Sequence, residues 1–304
     1  MKTLDAYNIL ALDIETNGFS PFGHFILQLS VIILEQSGDT SNTFNDYVLP
    51  PVGTSIENSH IHNITFEVLD ARNAEPFNVV FTRFQEWVES HFGSEDVHMI
   101  AHNCHAFDLR FLEVECKRHG LSIPQNWIFV DSLTQFRKYN PGFENYKLGT
   151  LYDAVKDETT KIDGNLHDSL TDVKVLMLVY LKLSAEFTQK QMDLILKEGR
   201  TSIQYTSSYL DKPITQLMPF TPKHITLLGN YNVATIGDLV SLYNKQTDVK
   251  DLPKDLPKDL PQDLPKDLPQ DKPFYQYLTK LSMSYIMRRE LTSKVKYIAY
   301  MSRM

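Results

Sequence analysis

The sequence predicts an α/β domain of five strands with interleaved helices, followed by a small helical unit. Three observations carry this. Apolar runs of two-residue alternation and runs of three- and four-residue spacing succeed one another from Tyr7 to about residue 185. The 304 residues are 42% hydrophobic, enough for a substantial core. Beyond residue 186 the pattern changes to a polar stretch, two short helical runs, a proline repeat and a basic helical tail.

The first strand runs from Tyr7-Asn8-Ile9-Leu10-Ala11 into Leu12-Asp13-Ile14-Glu15-Thr16-Asn17-Gly18. Asp13 and Glu15 lie two apart on a period-2 element and project from one face. Like charges that close repel and raise a pKa unless a cation lies between them, so a hard divalent ion is the economical occupant. Ordinary solvated acids at a strand end are the other reading. His24 to Glu35 and Thr43 to Leu49 read as the second and third strands, with a hairpin signal at Ser37-Gly38-Asp39. Phe77, Val80, Phe81, Phe84, Trp87 and Val88 recur at three and four, a core-facing helical stripe.

Met99-Ile100-Ala101-His102-Asn103 forms the fourth strand and its exit. Asp108 then opens a helix carried by Leu109, Phe111, Leu112 and Val114, and supplies a third carboxylate. Trp127 to Val130 reads as the fifth strand, with Asp131 as a helix cap. His167-Asp168-Ser169-Leu170-Thr171-Asp172 precedes the amphipathic run Val173, Leu176, Met177, Val179 and Tyr180. His167 and Asp172, five apart, would on a helix be separated by about 140° and roughly 7.5 Å, so both border one site only if the helix end lies across it. A zinc site from His102, Cys104, His105, Cys116 and His119 is disfavoured, because Cys116 lies about 12 Å along the Asp108 helix from the loop holding Cys104.

Three motifs in order, Asp-x-Glu-Thr, Ala-His-Asn with Phe-Asp, and His-Asp-x-Leu-x-Asp, resemble the DEDD-type 3′–5′ exonucleases of the DnaQ-like superfamily, in the histidine subgroup. Ile26-Leu27-Gln28-Leu29, Ile61-His62-Asn63-Ile64-Thr65 and Leu148-Gly149-Thr150-Leu151 resemble further segments of that family. Asn63 stands where Gly is usual and Ser169 where Ala is usual; neither removes a ligand. The resemblance covers residues 5–185 and implies a ribonuclease H-like fold, a mixed sheet flanked by helices, with domain 1–185 as the exonuclease.

The resemblance further implies two Mg²⁺ or Mn²⁺ ions. Asp13, Glu15 and Asp172 would hold the one carrying the attacking water, Asp13 and Asp108 the one near the leaving 3′ oxygen, and His167 would act as general base. Thr16, Asn17 and Phe19 would meet the terminal nucleotide, with Asn103 and Phe107 bordering it. Substrates would be 3′ ends of single-stranded nucleic acid, DNA ahead of RNA. An RNA-preferring enzyme and a nucleic-acid-binding protein on a nuclease scaffold are the alternatives. A proofreading subunit of the DNA polymerase III epsilon kind and a free-standing nuclease both stay open.

The remainder divides into a linker over 186–211, a helical segment over 212–249, a Lys-Asp-Leu-Pro repeat over 250–273 and a basic amphipathic tail over 274–304. Lys212 to Leu217 and Leu227 to Val240 resemble the carboxy-terminal domain of RNA polymerase α subunits, a unit related to helix-hairpin-helix modules. This part would hold nucleic acid or dock a replication or transcription partner; the tail would bind single strands or pack back on 213–243. Residues 1–186 carry 26 acidic and 13 basic residues, and 187–304 carry 12 and 17, so the net −8 hides halves of opposite sign. Two cysteines exclude a disulfide framework. With neither a signal-peptide pattern nor a long apolar run, an intracellular protein without membrane contact is expected.

Overall fold

A computed structural model describes residues 4, 7–35, 37–157, 160, 162–202, 207–230, 232–247, 274, 278, 283 and 285–302. The chain divides into two compact units, Met1–Ser202 and Ile203–Met304. The repeat over 250–273 and tail residues such as Tyr275, Tyr277 and Lys280 lie outside the described residues.

The first unit is built on β1 (Ile9–Thr16), β2 (Ile26–Ile33), β3 (Thr43–Leu49), β4 (Glu75–Pro76), β5 (Val97–Ala101) and β6 (Trp127–Asp131). They form one mixed sheet in the order β4-β3-β2-β1-β5-β6. β1 is antiparallel to β2 and parallel to β5, and β5 is parallel to β6. Five strands stand where the periodicity places them. The sixth, β4, has only two residues, too few for a repeat to show, and its Pro76 is tolerated at an edge that needs no donor.

Eight helices complete this unit: α1 (Ser59–His62), α2 (Phe66–Ala71), α3 (Phe77–Phe92), α4 (Asp108–Arg118), α5 (Ser132–Tyr139), α6 (Leu148–Val155), α7 (Ser169–Ser184) and α8 (Gln189–Lys197). Alternation along β1 decides which layer each side chain joins. Leu10, Leu12 and Ile14 are buried with the α3 stripe and with Leu109 and Leu112 of α4. Ile9 and Ala11 are buried with Val173, Leu176 and Tyr180 of α7. Period 2 therefore sends Asp13 and Glu15 to the α7 face, just past its apolar stretch.

Both departures from the family pattern have a local reason. Asn63 caps α1 in the left-handed region, at φ 59°, where Asn is the best-tolerated residue after Gly. Ser169 is fully buried, and its hydroxyl lies 2.6 Å from that of Ser30 on β2, so each satisfies the other.

The expected linker over 186–211 begins too early. Thr188 and Gln191 form a reciprocal capping box at the start of α8, whose Met192, Ile195 and Leu196 are buried against the α7 layer. Arg200 then pairs with Phe129 of β6 through two backbone hydrogen bonds of 2.8 and 2.7 Å.

The second unit contains α9 (Ser207–Leu210), a 3₁₀ turn (Ile214–Gln216), α10 (Pro222–Gly229), α11 (Ile236–Thr247) and α12 (Tyr285–Ser302). Thr221 caps α10 ahead of Pro222. The Asp238 carboxylate accepts from the amides of Ala234 and Thr235, which fixes the start of α11. Leu291, Val295 and Ile298 of α12 are buried with Ile214, Leu228, Ile236 and Leu239, so the tail does pack back on the preceding segment. Among the described residues no helix is long and apolar enough to cross a membrane.

Candidate active site

Three elements bring four acids and one histidine together. β1 delivers Asp13 and Glu15 on the face turned to α7. α4 begins at Asp108, which is 2% exposed. α7 carries Asp172 in its first turn. Glu15, His167 and Asp172 each offer a ligand atom within 4.8 Å of the others.

His167 is not on the helix. α7 starts at Ser169 with Asp168 as its cap, and His167 adopts φ 71°, a left-handed turn that folds it back across the helix end. Its amide donates to Asp172 Oδ2 at 3.1 Å. The 140° separation expected from helical spacing therefore does not apply, and residues five apart share one site.

Crowding and burial set the electrostatics. Burial first, then the charges of Asp172, Asp108, Glu15 and Asp168, push the Asp13 carboxyl well above the usual range. Glu15 is pushed up to about 8 by burial and then by Asp172, Asp168 and Asp108. Asp108 also reaches about 8, chiefly through burial, with its own amide and that of Ile14 pulling the other way. Asp172 reaches about 6, raised by burial and held down by the His167 amide and ring. Its Oδ1 is buried without a hydrogen-bond partner. Acids raised by one another's charge around an orphaned carboxylate oxygen fit a hard divalent cation, which takes oxygen ligands and removes the repulsion.

The structure separates the five residues expected at the terminal nucleotide. Thr16 is buried; its hydroxyl donates to Gly18 O at 2.7 Å and its carbonyl accepts from Asn58 Nδ2 at 2.8 Å. Both ends of the Asn17 amide are turned inward, Nδ2 to Ser55 O at 2.7 Å and Oδ1 to the Phe25 amide at 2.6 Å. Phe19 is 76% exposed. Asn103 is exposed at φ 68°, and half-buried Phe107 packs on Phe111 with ring centroids 4.9 Å apart.

The cysteine–histidine group is dispersed over separate partners. His102 contacts Ser132 Oγ and Tyr146 O, His105 contacts Phe129 O, and His119 lies by Glu115. Both thiols are buried and pushed up by burial. Asp131 is a cap, accepting from the amides of Leu133 and Thr134.

Sequence reasoning missed the supports beneath α7. Gln28 Nε2 donates to Asp168 Oδ1 at 2.9 Å, and Gln28 Oε1 accepts from the Ser169 amide at 3.4 Å. Asp168 Oδ2 accepts from the Thr171 amide and hydroxyl. The available signal was a Gln, with Ser30 the only other polar residue, in a strand that is otherwise apolar, because a buried amide needs partners.

Comparison with known proteins follows the same residues. The family profile RNase_T, described as exonuclease, matches residues 10–180 and does not reach 212–243. The chain is 29% identical over 194 residues to the chloroplastic/mitochondrial exonuclease DPD1 of Arabidopsis thaliana, covering 62% of this chain and 60% of that protein. It is 24% identical to the 3′–5′ exonuclease DinG of Bacillus subtilis, over 67% of this chain but 20% of that protein. The DNA polymerase III epsilon subunit of Buchnera aphidicola is 27% identical over 56% of this chain and 68% of its own length. A solved full-length 3′-exonuclease superposes with a TM-score of 0.50 at 18% identity, covering 66% of this chain and 92% of its own, a likeness of fold.

Proposed function

The chain belongs to the RNase_T exonuclease family, and on that premise we propose that it is a divalent-metal-dependent 3′–5′ exonuclease acting on single-stranded ends. The observation that carries this is the convergence of Glu15, His167 and Asp172 within 4.8 Å, beside two further acids. Asp13, Glu15 and Asp172 would hold one ion, and Asp13 and Asp108 the other. When bound, Mg²⁺ or Mn²⁺ ions would supply charge to the scissile phosphate on its attacking and leaving sides.

The chain's own groups do the rest. His167 is exposed beside Glu15 and Asp172, and its ring would take the proton of an attacking water as general base. The Asp172 carboxylate anchors its backbone and so fixes its direction. Phe19 and Asn103, the exposed members of the expected nucleotide-binding set, would meet the terminal base and sugar. DNA is the preferred substrate class, supported by the polymerase III relatives. The unit over 203–304, within the half of net +5, would hold the strand's phosphates or a protein partner.

The test is a degradation time course on 5′-labelled single-stranded DNA, duplex DNA and RNA with Mg²⁺ or Mn²⁺. A ladder shortening from the 3′ end, faster on single-stranded DNA and abolished by chelation, is expected. Undiminished degradation after exhaustive chelation would overturn the metal mechanism, and a faster RNA ladder would overturn the DNA preference.

A further inference from the structure

The segment from Asn17 to Phe25, which follows the acid-bearing strand directly, is held on all sides. From inside, the Asn17 amide ties Phe25 to Ser55. Gly18 lies so close beneath the His24 imidazole that a Cβ there would overlap the ring. The Ser20 carbonyl accepts from the amides of Gly23 and His24 at 3.2 and 3.0 Å.

The remaining hold comes from Arg118, the last residue of α4. Its Nη1 donates to His24 O at 2.8 Å and its Nη2 to Pro21 O at 2.6 Å. The guanidinium also lies 4.6 Å from the centre of the Phe25 ring. Glu115, 2% exposed, neutralises it through a 3.0 Å ion pair. Two carbonyls and a ring face are met at once by a planar fork, which a Lys cannot reproduce. At the apex of this tied loop Phe19 is 76% exposed, four residues past Glu15. An aromatic ring kept in water by a rigid loop is suited to a flat partner, and every base has a flat face.

We propose that Arg118 is a positioning residue for the terminal nucleotide: it holds the 17–25 loop so that Phe19 offers a fixed stacking face to the 3′-terminal base. This rests on the exonuclease reading. α4 begins at Asp108 and ends at Arg118, so one helix about 15 Å long sets the span between the buried acid and the loop. The scissile phosphate and the base next to it are thereby referred to the same rigid element.

Four variants test it: Arg118→Ala, Arg118→Lys, Phe19→Ala and the Arg118→Ala/Phe19→Ala double. Because removing Arg118 strands the buried Glu115 charge, each is also made with Glu115→Gln, and melting curves confirm folding. On a 5′-labelled single-stranded oligonucleotide with Mg²⁺ or Mn²⁺, Arg118→Ala should raise KM roughly tenfold, the loss of one stacked base, with kcat within about threefold of wild type. Phe19→Ala should do the same. The double should be no worse than either single, and Lys should not restore the wild-type KM.

An unchanged KM for Arg118→Ala, or losses that multiply in the double, would overturn the proposal. So would a fall in kcat matching a lowered melting temperature and reversed by Glu115→Gln, which would mark a purely structural role. Binding of the same oligonucleotide in Ca²⁺, read by fluorescence anisotropy, should show the same roughly tenfold weakening. A wild type that binds but does not degrade would refute the exonuclease reading alone, and the binding arm would still decide Arg118.

Discussion

Replacing Glu15 with Gln should make the metal-free protein more stable while making it inert. Glu15 is pushed from 4.5 to about 8 in the folded chain. In the unfolded chain it ionises near 4.5, so between those values the folded state binds more protons, and stability falls as pH rises. The loss is absent below about pH 4.5, grows by about 1.4 kcal/mol per pH unit, and is complete above about pH 8. Its ceiling is about 5 kcal/mol; relaxation and water entry reduce that to about 2–3 kcal/mol. For a unit of this size the equivalent is a rise in melting temperature of roughly 5–10 °C at pH 8, shrinking to about 2 °C at pH 5. Thermal melting in chelator at the two pH values measures it. Adding Mg²⁺ or Mn²⁺ should stabilise the wild type, most strongly at pH 8, and the variant much less. A variant that melts no higher than wild type in chelator at pH 8, or a gap that does not close at pH 5, would refute the picture of acids crowded around an ion.

Three further outcomes are expected. His167→Ala should lower kcat by about 10² to 10⁴ with little change in KM, as removal of a general base requires; a pH–rate profile unchanged in shape and height would remove His167 from the chemistry. Asp168→Ala should destabilise by about 1 kcal/mol through loss of the α7 cap, and reduce metal affinity through Asp172; an unchanged melting temperature by calorimetry would count against the Gln28–Asp168 support. A chain ending at Ser202 should remain folded, whereas one ending at Ser184 should not, since it uncovers three buried α8 side chains at about 1.5–3 kcal/mol each; equal melting temperatures would refute this.

What the sequence showed and what it hid divide along physical lines. Alternation in β1 put Asp13 and Glu15 on one face, and the structure shows which helix that face meets. The α3 stripe and the Asp131 cap were readable because periodicity and capping chemistry are local. His167 was legible as a site residue through its motif, but not its geometry, because a left-handed residue leaves no periodic trace and helical spacing alone would set it about 140° from Asp172. α8 falls inside the stretch read as linker, because what buries Ile195 and Leu196 is a layer built by α7 and its neighbours, which no local pattern reveals. The two-residue β4 is below any repeat. For Thr16 and Asn17 a motif match named the right neighbourhood, and only the structure shows that their side chains hold the loop together.

The pairing of Arg200 with Phe129 bears on what the free edge of the sheet can do. β6 ends the sheet, and an open strand is a template on which a second copy of the chain can add and keep adding. A single residue carrying two backbone hydrogen bonds closes that template in its middle. Gly199 makes the closure possible, because a side chain there would overlap that of Ile128 and crowd that of Val130. Gly199→Val should therefore reveal itself less in catalysis than in a test tube left standing, as slow, concentration-dependent clouding.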